Sequence, residues 1–218
     1  MAEIEKKTKR YPSDLTDEEW ARIGPLLPKP AKKGLKPEVD LRDVLNAIRY
    51  MARSGGGWRM LPNDFPPWQT VYWWFRRFVR LLLFRTIHDV ALMIDRERRL
   101  LMVNLTTADI ADSAGAQLIL HAIRTRWPWI KHLFADGAYD RTKLMDKAEL
   151  ENFIIEIIRR IDGESGFKVL PRRWVVERTF AWMTRWRRLV RDYEQRIDVS
   201  KAMIHVAMGS LLLRRISH

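Results

Sequence analysis

The sequence predicts an α/β chain that is mainly α, with a helical first half and a second half in which strands and helices alternate. Two observations carry this. Up to about residue 95 the apolar residues recur at helical spacing, broken by Pro and Gly clusters. Beyond residue 100, short apolar runs of strand length alternate with longer amphipathic stretches. A hydrophobic content of 47% against 31% charged residues allows a packed core, and 218 residues suffice for one domain or for a small one joined to a medium one.

Met1 to Arg10 reads as a basic lead. Thr16 then opens a helix with Glu19 three residues on, the pattern of a capping box, and this helix stops before Pro28. Lys29 to Pro37 is a Pro/Gly/Lys linker. A helix over Asp40–Arg53 places Leu41, Leu45, Ile48 and Ala52 on one face, and Gly55-Gly56-Gly57 ends it with a turn that needs left-handed backbone. After a short turn, Trp58 to Pro62, Pro66-Pro67 start a helix near Trp68. That helix carries Val71, Phe75, Phe78 and Leu82 inward, with Arg76, Arg77 and Arg80 elsewhere. Together these form a helix-turn-helix-like unit. In the second half, strands are expected at Leu100–Thr106, His132–Ala135 and Phe153–Ile158, and helices at Ser113–Trp127 and Arg141–Glu151. Past a loop at Asp162–Gly166 come two long C-terminal helices. The regions divide as 1–97 and 100–218.

Forty Lys and Arg against 27 acidic residues give a net charge of +13, which favours a polyanionic partner, nucleic acid foremost. Without cysteine there is no disulfide and no thiolate metal site. No segment is apolar for long enough to cross a bilayer and no secretory signal opens the chain, so a cytoplasmic location without membrane contact is expected.

Two acidic residues stand out. Asp136 follows a buried strand and precedes Gly137, where α/β sheets place ligands and also where an Asp caps a turn. Glu177 lies on a helix whose polar face carries Arg173, Glu177, Thr184 and Arg188. The opposite face, with Val175, Trp182, Met183, Trp186, Leu189 and Val190, is expected in the core. Glu177 is either an intrahelical partner of Arg173 or a metal-binding carboxylate among phosphate-binding arginines; spacing leaves both open.

Four motifs in order resemble the transposases of the insertion sequence 5 group, members of the DDE superfamily. They are Trp58-Arg59-Met60-Leu61-Pro62, Phe65-Pro66-Pro67-Trp68-Gln69-Thr70-Val71-Tyr72, Ala135-Asp136-Gly137-Ala138-Tyr139 and Arg172-Arg173-Trp174-Val175-Val176-Glu177-Arg178-Thr179-Phe180. The resemblance implies a ribonuclease H-like catalytic domain, double-stranded DNA ending in terminal inverted repeats as partner, and Mg2+ as cofactor. Asp136 matches the family's second catalytic carboxylate, Glu177 its third, and Arg173 the arginine of the Glu-centred motif. Leu170 replaces the tyrosine expected before that arginine, and Arg185 is the nearest substitute for the expected lysine.

The first catalytic Asp, expected between Arg96 and Leu101 in an Asp-Ser-x-x-Val-Lys pattern, is missing, as if an in-frame deletion had removed two strands with it. Two divalent ions about 4 Å apart need a bridging carboxylate, so strand cleavage is expected to be lost. Asp95 is the one stand-in considered; Asp109 and Asp112 read as turn acids. Without the central strand, the Leu100 and His132 strands either pair directly in a three-stranded sheet or leave this half partly ordered. The DNA contacts expected to survive are Lys32, Lys33, Lys36, Arg59, Gln69, Arg76, Arg77, Arg80, Arg172, Arg173, Arg178, Arg185 and Arg188. Alternative readings are a non-catalytic regulator that binds transposon ends, as a homo-oligomer or mixed with intact transposase, and an unstable remnant.

Overall fold

A computed structural model describes residues 10–29, 39–95, 100–158 and 173–217, with the side chains of 173–175 outside the description. The linker lysines Lys32, Lys33 and Lys36, the Asp162–Gly166 loop, Arg172 and the 96–99 junction therefore lie outside the described residues. The chain divides into two compact units, one of Met1–Arg99 with Phe180–His218 and one of Leu100–Thr179. The first unit thus takes in the C-terminal segment, whereas the sequence suggested two contiguous regions.

In the first unit, α1 (Asp17–Ile23) starts with the expected capping box. The Thr16 hydroxyl accepts from the Glu19 N–H at 3.0 Å and the Glu19 carboxylate accepts from the Thr16 N–H at 3.4 Å. Glu19 has a second task that its place in the motif does not show. Its side chain is 0% exposed and accepts from Arg49 Nη1 at 2.7 Å, with Arg214 Nε 3.5 Å away. Arg49 belongs to α2 (Leu41–Ser54), which Asp40 caps by accepting from the Arg42 N–H. The pair thus joins α1 to α2.

Helix α2 ends at Gly55, whose φ of +75° is the left-handed conformation that the glycine run anticipates. A side chain there would also collide, since its Cβ would lie 2.8 Å from Cβ of Arg187. Glycine therefore serves both the turn and the close approach of the 3-10 turn Arg187–Leu189.

Helix α3 (Trp68–Arg80) buries Val71, Trp74, Phe75, Phe78 and Val79. The expected inward position of Leu82 is not realised: α3 stops at Arg80, and Leu82, with φ +53°, is exposed at the corner leading into α4 (Leu83–Ile94). Helical spacing cannot carry a residue inward once the helix has ended.

Helix α8 (Ile197–Ile216) is buried on more than one face, with every residue from His205 to Ser210 covered. It packs against α4 at Gly209, where an added Cβ would be in ordinary van der Waals contact, 3.6 Å from Cα of His88. Full burial of each Met, Val or Leu at such a contact contributes roughly 1.5–3 kcal/mol.

In the second unit, α5 (Asp112–Arg126), β1 (His132–Asp136), α6 (Thr142–Leu150) and β2 (Ile154–Ile158) follow the predicted alternation. Leu120, Leu144, Ala148 and Phe153 form its small core. Strands β1 and β2 pair in parallel, His132 opposite Ile154 and Asp136 opposite Ile158. The expected strand over 100–106 does not form, and among the described residues the sheet has two strands rather than three. A strand needs a ladder partner to satisfy its backbone. Here the Asn104 side chain instead donates to the Gly115 carbonyl at 3.0 Å and Thr106 packs beside Gly115, so the segment lies along α5.

The structure corrects the C-terminal pattern too. Helix α7 (Arg173–Thr184) ends before Arg188, which occupies the 3-10 turn, so Arg173, Glu177, Thr184 and Arg188 do not share one helix face. Trp186 is buried as expected, but Val190 is 59% exposed.

Breaking the buried pair by Arg49→Met leaves Glu19 with Arg214 alone. The expected cost is about 3 kcal/mol, read as a lower urea midpoint of unfolding. A second prediction concerns His205, which lies 5.3 Å ring to ring from the buried His88. Burial first, then the nearby His88, Lys201 and Arg85, push its imidazole down to about 4, against a smaller opposing pull from Asp89. The unfolded state binds the proton more tightly, so this contribution to stability is complete above pH 6.5 and falls as pH drops toward 4. The loss at pH 5 is roughly 2 kcal/mol, and His205→Leu should flatten the melting temperature between pH 7 and pH 5.

Candidate functional site

Asp136 is the last residue of β1 and is exposed. Its carboxylate accepts from the Ala138 N–H at 2.9 Å and caps the 3-10 turn Gly137–Tyr139. The turn-capping role that the local sequence allowed is therefore filled. Below it, the Tyr139 phenol is raised above its ordinary pKa, chiefly by burial and then by the negative charges of Asp112 and Asp136.

What holds β1 in place is Arg124, near the end of α5. Its guanidinium donates to the carbonyls of Pro128, Ile130, Glu151 and Asn152 at 2.5–3.1 Å. It also lies 4.1 Å above the Phe153 ring. One side chain thus ties the turn before β1 to the turn before β2, and so sets where the strand delivers Asp136. Nothing in the sequence marks this role, because Arg124 looks like any last-turn cation of a helix.

Glu177 is exposed on α7. Pairing with Arg173 lies outside the described residues, since the Arg173 side chain is not described. A two-ion site needs several oxygen donors that converge. Among the described residues no group of three or more His, Asp or Glu side chains could hold a metal ion. The described residues thus do not fit the metal centre that the family resemblance implies. Asp95 is 6% exposed, with Arg215 Nε 3.8 Å from its carboxylate. Asp109 is a turn acid held below its usual pKa by the Thr107 hydroxyl, and Asp112 begins α5.

The basic candidates fall into two groups. Arg59 is exposed with its guanidinium 5.6 Å over the Trp68 ring. Gln69 and Arg80 are exposed at the two ends of α3, and Arg76 and Arg77 between them are half-buried. Of the C-terminal set, Arg185 is exposed and Arg178 half-buried. Arg188 differs. It is buried, pairs with Glu194 at 2.7 Å and donates to the Gly56 carbonyl at 2.8 Å, so its guanidinium fastens the glycine turn.

Sequence reasoning passed over two aromatic residues. Residues 69, 72, 73, 76, 77 and 80 lie on one face of α3 at three- and four-residue spacing, and Tyr72 and Trp73 are 39% and 51% exposed. The spacing is present in the sequence, but spacing does not tell which aromatic face of a helix the core covers.

Residues 83–212, more than half of the chain, match the family model described as the Transposase DDE domain. Residues 15–88 match the model described as a transposase of the IS4/5 family (DUF4096). The chain belongs to the DDE transposases of the IS4/5 family. Among curated proteins it is similar to Uncharacterized protein y4sN of Sinorhizobium fredii (strain NBRC 101917 / NGR234), 33% identical over 94 residues, which cover 42% of this chain and 73% of that protein. No solved structure matches the chain. Membership implies DNA binding and, for DDE domains generally, a divalent metal. A mainly helical α/β chain with a small parallel sheet is consistent with a ribonuclease H-like domain. No helix among the described residues is long and apolar enough to cross a membrane.

Arg124→Ala should destabilise the second unit by about 3 kcal/mol, because carbonyls of two turns lose a charged donor. Hydrogen exchange at 132–136 and 154–158 would report it, and Arg124→Lys should not restore protection, since one ammonium cannot span both turns.

Proposed function

We propose that this IS4/5-type transposase relative docks double-stranded DNA through the outer face of α3 and has lost the strand-cutting step of its family. The observation that carries the first part is the composition of that face. Gln69, Arg76, Arg77 and Arg80 lie together there with Arg59 nearby, and no acidic residue occurs anywhere in α3. A duplex presents phosphates on both sides of its grooves, and a helix bearing cations along one face and an amide near its start suits that target. Helices α2 and α3, joined by the glycine turn, then act as a helix-turn-helix-like unit. Arg172, Arg173, Arg178 and Arg185 supply a second set of phosphate contacts.

Loss of cutting is supported by the missing first Asp and by the absence of a three-ligand cluster among the described residues. In this reading, residues 100–218 are a DDE domain shortened by deletion, with Asp136 and Glu177 as its remaining carboxylates. A chain that holds DNA without cutting it is suited to occupy terminal inverted repeats, alone or mixed with intact transposase, and to inhibit transposition.

Arg76→Ala, Arg77→Ala and Arg80→Ala combined should weaken duplex binding by one to two orders of magnitude near 0.1 M salt. The same variant should flatten the slope of log affinity on log salt by about 3, one for each phosphate contact removed. Fluorescence anisotropy measures both, and unchanged affinity would sink the docking face. Incubation of DNA carrying the element's ends with Mg2+ or Mn2+ should give no nick. A site-specific nick abolished by Asp136→Ala would overturn the loss of cutting.

A further inference from the structure

On the reading of α3 as a DNA-docking face, one feature is unexplained by phosphate contacts: a large indole at the centre of the face. Trp73 is 51% exposed, and it is held rather than loose. The buried Trp74 meets it edge-on, with ring centroids 5.0 Å apart and planes at 89°. The Arg77 guanidinium lies 5.4 Å over the Trp73 ring and 5.2 Å over that of Trp74. Tyr72, braced by Trp58 at 5.3 Å, lies beside it.

A fixed, half-exposed indole that carries Arg77 and shares its helix face with Arg76 and Arg80 is poorly matched to an apolar protein surface, because burying that face would also strip water from guanidinium groups. It is equally poorly matched to intact duplex alone. In stacked B-form DNA the ring faces of the bases are covered by their neighbours, and only edges and phosphates are offered. The partner that combines negative charge with open, flat rings is DNA whose bases are unpaired.

We infer that Trp73, with Tyr72 beside it, is a stacking platform that makes the α3 face prefer DNA with unpaired bases, such as a melted or frayed tract, over fully paired duplex. The arginines hold the backbone on either side of the tract and the indole takes the exposed base. Rigidity matters here, since a ring already braced by Trp74 loses little freedom when the base arrives.

The test uses the full chain and three labelled probes: a fully paired duplex, the same duplex with a short mismatched tract, and one of its single strands. Wild type should bind the mismatched probe roughly tenfold more tightly than the paired one, as expected when one base stacks on an aromatic ring. Trp73→Ala should abolish that ratio while changing paired-duplex affinity by no more than about twofold. Trp73→Phe should keep most of the ratio and Trp73→Leu should not, a comparison that holds even if truncation to Ala lowers stability. Arg80→Ala should weaken all three probes alike. A ratio near one in wild type with duplex binding intact, or a ratio that survives Trp73→Leu, overturns the platform but leaves the docking face standing. Failure of wild type to bind any probe overturns both. Competition by poly-glutamate as effective as by the mismatched probe would make the face a plain polyanion surface and would also overturn the inference.

Discussion

The first unit depends on the packing of α8 against α4. At Gly209 the two helices lie close enough that an added Cβ would be in ordinary van der Waals contact, 3.6 Å from Cα of His88. Met203, Val206, Leu212 and Leu213 of α8 and Phe84, Ile87 and Leu92 of α4 are all buried and supply the apolar surface for this packing. Because α8 fills the middle, α2, α3 and α4 can each bury one face and leave the other to water. The outward face of α3 is therefore a consequence of how the core closes.

The same close packing explains the polar groups found inside. Glu19 and Arg49 are buried together, and a buried ion pair costs desolvation that its attraction only partly offsets. What the pair does provide is a link between the helix cap and the core, since one Glu19 oxygen accepts both from the Thr16 N–H and from Arg49 of α2. Arg188 acts similarly at the other end of α2, where its bond to the Gly56 carbonyl joins the 3-10 turn to the glycine run.

In the second unit the governing constraint is the ladder partner. Strands β1 and β2 satisfy each other, whereas the 100–106 segment has the apolar pattern of a strand and no ladder. It settles along α5 instead. Asp136 keeps its position at the end of a parallel strand because that position is set by β1, β2 and the Arg124 clamp, none of which requires a neighbour on the far side. Asp136 thus has a fixed place at the strand end, and among the described residues no group of three or more His, Asp or Glu side chains could hold a metal ion there.

Much was legible in the sequence where the responsible physics is local. The capping box at Thr16 and Glu19, the helical spans of α2 and α3, the left-handed turn at Gly55 and the end of β1 at Asp136 all follow from backbone chemistry within a few residues. The family motifs were readable for the same reason, since they are short runs kept in order. Only the tertiary structure decided which polar residues are buried, because burial depends on what arrives from distant sequence. Glu19 met Arg49, Arg188 met Gly56, and Arg124 met the two turns. Tertiary packing likewise left Trp73 exposed while covering Trp74, its neighbour in the chain, because adjacent residues on a helix point about 100° apart and the core lies on one side.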